Sequence, residues 1–549
     1  MDSKFKDFLR NPWFSLLIVF FVCVLIANNV VNSCNRERRY RAGIVTKMTN
    51  EVDQRWQKLH LIMQQIEENY VDTINYKEIT EKAIPVLLQS LDPHSVYLPP
   101  QELEVADNSL SANFSGIGVE FNVPQDTVIV INVVSKGPSE KVGISSGDRI
   151  IEVNGRNIAG VGFPQDSVVK TLRGPVGTTV EVTVKRIGVA NPLKFQIKRD
   201  IIPQKSVDVA FMISPKIGYI KLSKFSRSTY REFMESAKSL IESGMETLVL
   251  DLRNNPGGYM DQAFLLANEF LEKGEMIVYM QGRVRPREDY KANGSGICKD
   301  VKLYVAVDEG SASSSEIFAG AIQDNDRGTI IGRRSFGKGL VQEPIYFSDS
   351  SGIRLTVARF YTPSGRSIQK PYTSMYEYDI YTRYQNGELR YEDSIPKNDS
   401  LVFYTLKKNR KVYGGGGIIP DVFVPIDTVG VTDFLIEVNR NSLLLKYSSE
   451  FADLHRSILS NIKTYNQLES MFRRIDLSGD FLRYAKEHNI TPKGNEWVES
   501  REILVSQLKG LIGRYSAMDS DAYYSYILQI DNCIDKIKEL ESAGLSLEK

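Results

Sequence analysis

The chain has 549 residues, 42% of them hydrophobic and 25% charged, which is ordinary globular composition with room for roughly three or four domains. Its 68 basic residues balance 68 acidic ones, so no basic surplus points to nucleic acid as a partner. Four cysteines are too few for a disulfide framework, and the four histidines form no H-E-x-x-H pair, nor is there a Cys-x-x-Cys, so no metal and no cofactor is expected.

At the amino terminus, Lys4, Lys6 and Arg10 precede an uncharged stretch, 11–35, with an apolar heart at 13–27. That is a little short for a full bilayer crossing, and 28–31 extend it at the interface. Position and flanks predict a membrane-targeting segment over 1–35, read first as an uncleaved anchor. A lipid-attached Cys34 in the loose box Val31-Asn32-Ser33-Cys34 and a cleaved signal peptide are the alternatives. Arg36, Arg38, Arg39 and Arg41 beyond the segment outnumber the three basic residues before it, so charge does not fix its orientation.

Residues 45–105 read as a helical region. Val52, Trp56, Leu59, Ile62, Met63 and Ile66 recur at helical spacing over 48–70, and a second helix is expected over 76–91. His94 follows Pro93 in a turn, a position more often structural than catalytic.

Over 110–200 the pattern changes to short β-prone runs divided by glycine. Gly116-Ile117-Gly118-Val119 is a glycine-rich loop entering a strand, and Asn154-Gly155 closes a later one in a tight turn. This stretch resembles a PDZ domain, with Val142-Gly143 ahead of Gly147-Asp148-Arg149-Ile150. The amides of Gly116, Ile117 and Gly118 suit a terminal carboxylate, and the strand from Val119 suits pairing with an extended peptide. The bland alternative is a small β-domain without a ligand.

From 201 to 425 strands alternate with helices. Strands are expected over 216–225 and 246–252, with a helix between them over 228–243. The second strand ends in Arg253-Asn254-Asn255-Pro256-Gly257-Gly258 before another helix. The stretch 301–342 repeats this form. It has a buried strand, the serine cluster Ser311-Ala312-Ser313-Ser314-Ser315-Glu316, a helix marked by Ile317, Phe318, Ala321 and Ile322, and a strand at 329–332. Strand, helix, strand is the parallel crossover unit, and ligands gather at the carboxyl ends of such strands. Ser313 with Glu316 fits a capping box, and Lys338, between Gly337 and Gly339, fits a solvated turn. The same residues also fit a serine nucleophile among helix amides and a lysine base made neutral by burial.

The residues 310–316 and 336–342 resemble two motifs of the carboxyl-terminal processing (tail-specific) proteases, Gly-Ser-Ala-Ser-x-Ser-Glu and Phe-Gly-Lys-Gly-x-Val-Gln. The element Leu91-Asp92-Pro93-His94-Ser95 and the segment 362–369 resemble further parts of that family. The resemblance runs roughly from 70 to 425 and implies Ser313 as nucleophile, Lys338, twenty-five positions on, as general base, and Gln342 as the residue that orients it. It implies an oxyanion hole from the amide of Gly257 or Gly258 together with that of Ser314. It also implies protein or peptide substrates with free carboxyl-terminal tails, a homo-oligomer, and a bacterial cell-envelope location, membrane-anchored with the catalytic part in the periplasm. A non-catalytic PDZ scaffold or chaperone of the envelope is the competing class, and the presence of Ser313, Lys338 and Gln342 together argues against it.

Residues 371–413 depart from the family pattern and read as a polar, tyrosine-rich insertion. Residues 426–549 read as a helical extension, with an amphipathic helix over 523–540. The expected fold is a multidomain α/β protein: a protease core of crossover units over 201–425, an inserted PDZ-like β-rich domain, and helical N-terminal and C-terminal regions.

Overall fold

The computed structural model describes residues 54–103, 106 and 113–544. The membrane-targeting segment expected over 1–35 lies outside them, and among the described residues no helix is long and apolar enough to cross a membrane. The chain divides into two compact units, Met1–Val86 and Leu87–Lys549. The first unit contributes α1 (Gln54–Asn69) and most of α2 (Tyr76–Gln89), the latter carrying Pro85 inside the helix. Trp56, Leu59 and Ile62 of α1 are exposed.

The second unit opens with β1 (Val96–Leu98), then β2 (Asn113–Gly116), β3 (Val119–Asn122) and β4 (Val128–Val133). A short helix α3 (Pro138–Val142), strands β5 (Arg149–Val153) and β6 (Arg156–Asn157), and helix α4 (Gln165–Leu172) follow. Strands β7 (Thr179–Lys185), β8 (Leu193–Lys198) and β9 (Asp200–Pro203) complete the module. In β7 the alternation of Val180, Val182 and Val184, all fully buried, against polar neighbours gives the strand one core face. The sheet runs β3-β4-β5-β7-β8, and β2 pairs antiparallel with β9, so the strands entering and leaving the module close on each other.

The next stretch carries β10 (Val207–Met212), β11 (Ile217–Leu222), α5 (Thr229–Glu242), β12 (Thr247–Asp251) and α6 (Met260–Asn268). After these come β13 (Met276–Gln281), β14 (Glu288–Lys291), β15 (Lys302–Val307), α7 (Ser314–Asp324) and β16 (Thr329–Gly332). Then follow β17 (Leu340–Tyr346), β18 (Gly352–Tyr361), α8 (Asp379–Gln385), β19 (Val402–Tyr404), β20 (Lys411–Tyr413) and β21 (Val422–Phe423). Strand β17 was not expected from the sequence. The main sheet has the order β10-β11-β12-β15-β16-β21, parallel except at β10–β11. A second sheet joins β1, β18, β13 and β14, with β17 also on β18.

The inner strands of the main sheet, β11, β12, β15 and β16, are buried on both faces, which is why they read as near-continuous apolar runs. Along β12, Leu248 and Leu250 pack into one core with Phe233 of α5, Leu266 of α6 and Phe318 of α7. Val249 points the other way, into a cluster with Tyr219, Tyr304, Ile534 and Ile537. Residues Ile534 and Ile537 belong to the C-terminal region, which consists of α9 (Asp433–Arg440), α10 (Leu443–Leu454), α11 (Arg456–Leu459), α12 (Tyr465–Phe472), α13 (Leu477–Glu487), α14 (Glu496–Gly513), α15 (Ser520–Ile527) and α16 (Asn532–Ser542).

The single helix expected over 523–540 is thus two. The break falls at Asp531, whose carboxylate caps α16 by accepting from the amides of Cys533 (2.9 Å) and Ile534 (3.2 Å). Cys298 and Cys533 are both buried and free, and they belong to different core clusters. The helical region also grips the β-rich module. Arg149 pairs with Asp453 (2.5 Å), Arg514 with Glu120 (2.7 Å), and Asn132 donates to Asp519 (2.7 Å).

Candidate active site

Strands β12 and β15 are parallel neighbours, so their carboxyl ends and the turns beyond them lie side by side. Asn255 stitches the two turns together. Its carbonyl accepts from the Ala312 amide (3.0 Å) and the Ser315 hydroxyl (2.9 Å), and its side-chain amide donates to the Leu222 carbonyl (2.8 Å). Only glycine fits at 257: φ is +93°, and a Cβ there would sit 2.7 Å from the Ala312 carbonyl oxygen and 2.8 Å from Cβ of Ser313.

The glycine pair divides in an informative way. The Gly257 amide is taken, donating to Oδ1 of Asn255 at 2.9 Å. The Gly258 carbonyl accepts from the Ser314 hydroxyl (2.9 Å), while the Gly258 amide has no acceptor among the described residues. The Ser314 amide, at the first position of α7, is free in the same way, as helix geometry requires of a first-turn N–H. Two unpaired donors therefore flank Ser313.

Ser313 itself stands at φ 55° and ψ −112°, on the left-handed side of backbone space. A side chain is held there only at a strain of about 1–3 kcal/mol, and the packed turn supplies the constraint. The Ser313–Glu316 pair has the form of a capping box, with the Ser313 side chain toward the Glu316 amide and the Glu316 carboxylate on the Ser313 amide. The Glu316 carboxylate does the tying. It is fully buried and accepts from the amides of Ser313 (2.9 Å), Gly337 (2.7 Å) and Lys338 (2.8 Å) and from the Ser335 hydroxyl. One oxygen, Oε2, serves both the Ser313 and the Lys338 amides. Burial pushes the Glu316 carboxyl up, against the pull of these donors.

Lys338 sits on the loop between β16 and β17. Its Nζ donates to Oε1 of Gln342 at 3.1 Å, and Nε2 of Gln342 donates to the His94 carbonyl. Burial holds the Lys338 amine below the usual lysine range, the Arg354 charge acts in the same sense, and Glu316 and Asp92 oppose it. The turn bearing His94 is fixed by Asp92, whose Oδ1 accepts from the His94 and Ser95 amides, both at 2.8 Å. Burial, with the Lys338 charge, lowers the His94 imidazole to about 4.

The loop is braced from the segment 371–413 as well. The buried guanidinium of Arg383 donates to three successive carbonyls, those of Arg334 (3.2 Å), Ser335 (2.9 Å) and Phe336 (3.0 Å). Arg334 in turn forms a buried bidentate pair with Glu388 (2.6 and 2.7 Å).

Ser313, Ser314, Gly257, Gly258, Lys338 and Gln342 thus come together in one place. Gly116, Ile117, Gly118 and Val119 lie apart, in the β-rich module. Gly116 ends β2, while Ile117 and Gly118 form the bend into β3, a terminal strand of its sheet. Gly118 has φ +76°, and the carbonyls of Ile117 and Gly118 accept from Ser139 and Val134. Residues that the sequence reading did not single out for the site are Asn255, Tyr376, Arg383 and Glu388, and Glu316 in any role beyond a helix cap. A glutamate in a fully buried helix is the one signal that was available, because a buried carboxylate demands several donors.

Residues 216–380 match peptidase family S41, 115–198 match the PDZ domain, and 434–516 match a family of unknown function. A carboxy-terminal-processing protease of Bartonella bacilliformis is 37% identical over 316 residues, covering 56% of this chain and 71% of that protein. The chain belongs to the carboxy-terminal processing protease family. It is a serine-type peptidase with a PDZ domain. The carboxy-terminal processing protease CtpA of Bacillus subtilis is 34% identical over 329 residues, 59% of this chain and 69% of that one. Among solved structures, the photosystem II D1 C-terminal processing protease is 27% identical and covers 68% of this chain and 88% of its own, with a TM-score of 0.37.

Proposed function

We propose that this peptidase is a Ser–Lys endopeptidase that takes proteins by their free carboxyl-terminal tails. The observation that carries the reading is the single Glu316 oxygen accepting the backbone amides of both Ser313 and Lys338, which ties a strained serine at a helix start to a half-buried lysine. Lys338, neutral, donates one N–H to Gln342 and keeps its lone pair for the Ser313 proton. Ser313 Oγ forms a bond to the scissile carbonyl carbon, and the carbonyl oxygen becomes an oxyanion. The amides of Gly258 and Ser314 stabilise it; Gly257 is set aside because Asn255 already holds its amide. Each such donor is worth roughly 3–4 kcal/mol in a preorganised site. The tetrahedral adduct collapses with cleavage of the C–N bond, and the Lys338 ammonium gives its proton to the leaving amine. Water, deprotonated by Lys338, then resolves the acyl-enzyme and restores the serine.

The PDZ module supplies the tail specificity in this reading. Among the described residues strand β3 is a terminal strand of its sheet, the place for an added strand, and the amides at Ile117 and Gly118 face the terminal carboxylate, with Gly116 and Val119 completing the loop. The segment over 1–35 anchors the chain in the membrane of a bacterial envelope, with the catalytic part in the periplasm, and the helical region over 45–105 serves homo-oligomer formation. The domain limits follow the sequence reading: 110–200 for the PDZ module, 201–425 for the core, 426–549 for the helical extension.

The test is digestion of an unfolded protein with a free apolar tail, and of its tail-amidated twin, in EDTA. Wild type is expected to cut the free tail faster, and Ser313→Ala and Lys338→Ala to be inert though folded. Equal cutting of both substrates would remove tail recognition. Cutting by the variants would remove the dyad. Binding without cutting by wild type would favour the scaffold.

A further inference from the structure

The segment 371–413, whose first ten residues still fall within the S41 match, reaches the candidate base through one hydroxyl. The Tyr376 side chain is buried. Its hydroxyl is 2.5 Å from Nε2 of His94 and accepts from Nε2 of Gln369 at 3.3 Å. His94 leads to Lys338 by way of Gln342, since the His94 carbonyl accepts from Gln342 and Gln342 accepts from Lys338 Nζ at 3.1 Å. Gln369 leads to the chain neighbour of Lys338 from the other side, because its Oε1 accepts from the amide of Gly339 at 2.9 Å. These bonds close a ring: Lys338, Gln342, His94, Tyr376, Gln369, Gly339 and back along the chain. The hydroxyl of Tyr376 is the only member contributed by 371–413.

We infer that Tyr376 is a positioning residue for the peptidase reaction, holding Lys338 and its partner Gln342 in register through this ring; the inference rests on the reading of Lys338 as general base. The hydroxyl has one proton. It accepts from Gln369 and shares one hydrogen bond with Nε2 of a neutral His94 imidazole, the donor being set by the tautomer. Burial of His94, with the nearby Lys338 and Lys370 charges, keeps it so at physiological pH, Asp92 being the opposing charge. The ring of Tyr376 packs independently of the hydroxyl: it meets His94 edge-on (5.4 Å), lies near Phe336 (6.5 Å), and carries Nζ of Lys370 over its face (4.2 Å). Fold and hydroxyl are therefore separable by one substitution.

Tyr376→Phe removes the hydroxyl and leaves that packing. The expected result is a fall in kcat of about tenfold with KM within about twofold, the size of one lost hydrogen bond of positioning. The acid limb of the kcat/KM profile moves to higher pH, because a loosened loop admits water to the Lys338 amine and relieves the burial that depresses it. Melting temperature falls by no more than a few degrees, the cost of one buried hydrogen bond. In a Gln342→Ala background the same substitution lowers kcat by less than about threefold, since residues acting through one another are not additive. Wild-type kcat and pH profile in Tyr376→Phe would overturn the inference, and so would lost activity with a melting temperature lowered beyond that and an unmoved acid limb. Retention of activity by Lys338→Ala would instead overturn the reading of Lys338 as base.

Discussion

The serine turn and the lysine loop are held in opposite ways. Ser313 is fixed locally: β15, the turn after it and α7 are contiguous, and the facing Asn255–Gly258 turn comes from the neighbouring strand. The Lys338 loop is fixed by partners far off in the chain, namely His94 through Gln342, Gln369, Tyr376 and Arg383, and by Glu316 from the serine side. Placing Ser313 is a property of the sheet, whereas placing Lys338 is a property of the assembled site. A perturbation away from both should therefore move the base first.

Substitutions at the two ends give the largest effects. Ser313→Ala and Lys338→Ala are each expected to lower kcat/KM by at least about a thousandfold, and the double variant by little more, because the two act as a unit. Comparable loss in each, measured with one peptide, supports equal dependence on both regions; a tenfold gap between them would break the pairing.

Glu316→Gln tests the joint itself. It places an N–H₂ where a carboxylate oxygen now accepts, so at least one buried amide loses its acceptor. A stability loss of about 3 kcal/mol is expected, by denaturant titration, together with a large fall in kcat. Wild-type stability would mean that the two regions are not held through this carboxylate.

The pH dependence sharpens the contrast. In the proposed mechanism the base is neutral, so kcat/KM is expected to rise with pH as Lys338 loses its proton. The midpoint is expected below the ordinary lysine value of about 10.4, because burial depresses the amine. A midpoint at or above that value would contradict a buried base.

The smallest effect is expected where the helical extension touches the serine side. Asp531, at the cap of α16, pairs with Arg253 (2.8 Å), which also pairs with Asp251 (2.6 Å). Asp531→Ala leaves Asp251 in place, so a loss of about 1–2 kcal/mol in stability is expected, with kcat within about twofold of wild type. A collapse of kcat would show that the serine turn is less self-sufficient than the sheet implies.

The same contrast explains what the sequence made legible. Strand and helix periods around 301–332 and 246–268 were readable because both faces of the sheet are buried, and the serine cluster, the glycine pair and Lys338 could be named from short motifs. Partners from distant segments could not be. His94 read only as a turn residue because its carbonyl, and not its ring, meets Gln342, and a carbonyl leaves no trace in side-chain identity. Tyr376 and Arg383 sit in a segment whose polarity resembles a solvated loop, although both are buried. Their contacts span tens to hundreds of positions. The choice between Gly257 and Gly258 likewise needed the Asn255 side chain, which local pattern does not place.

The most direct test of the account is to trap the acyl-enzyme. A slowly hydrolysed activated ester of an apolar peptide is added to the wild-type protein, quenched in acid, and mapped by peptide mass spectrometry. The account predicts a single acyl adduct on Ser313, absent from Ser313→Ala and formed far more slowly in Lys338→Ala. An adduct on another residue, or turnover by wild type that proceeds when Ser313 is alanine, would contradict it.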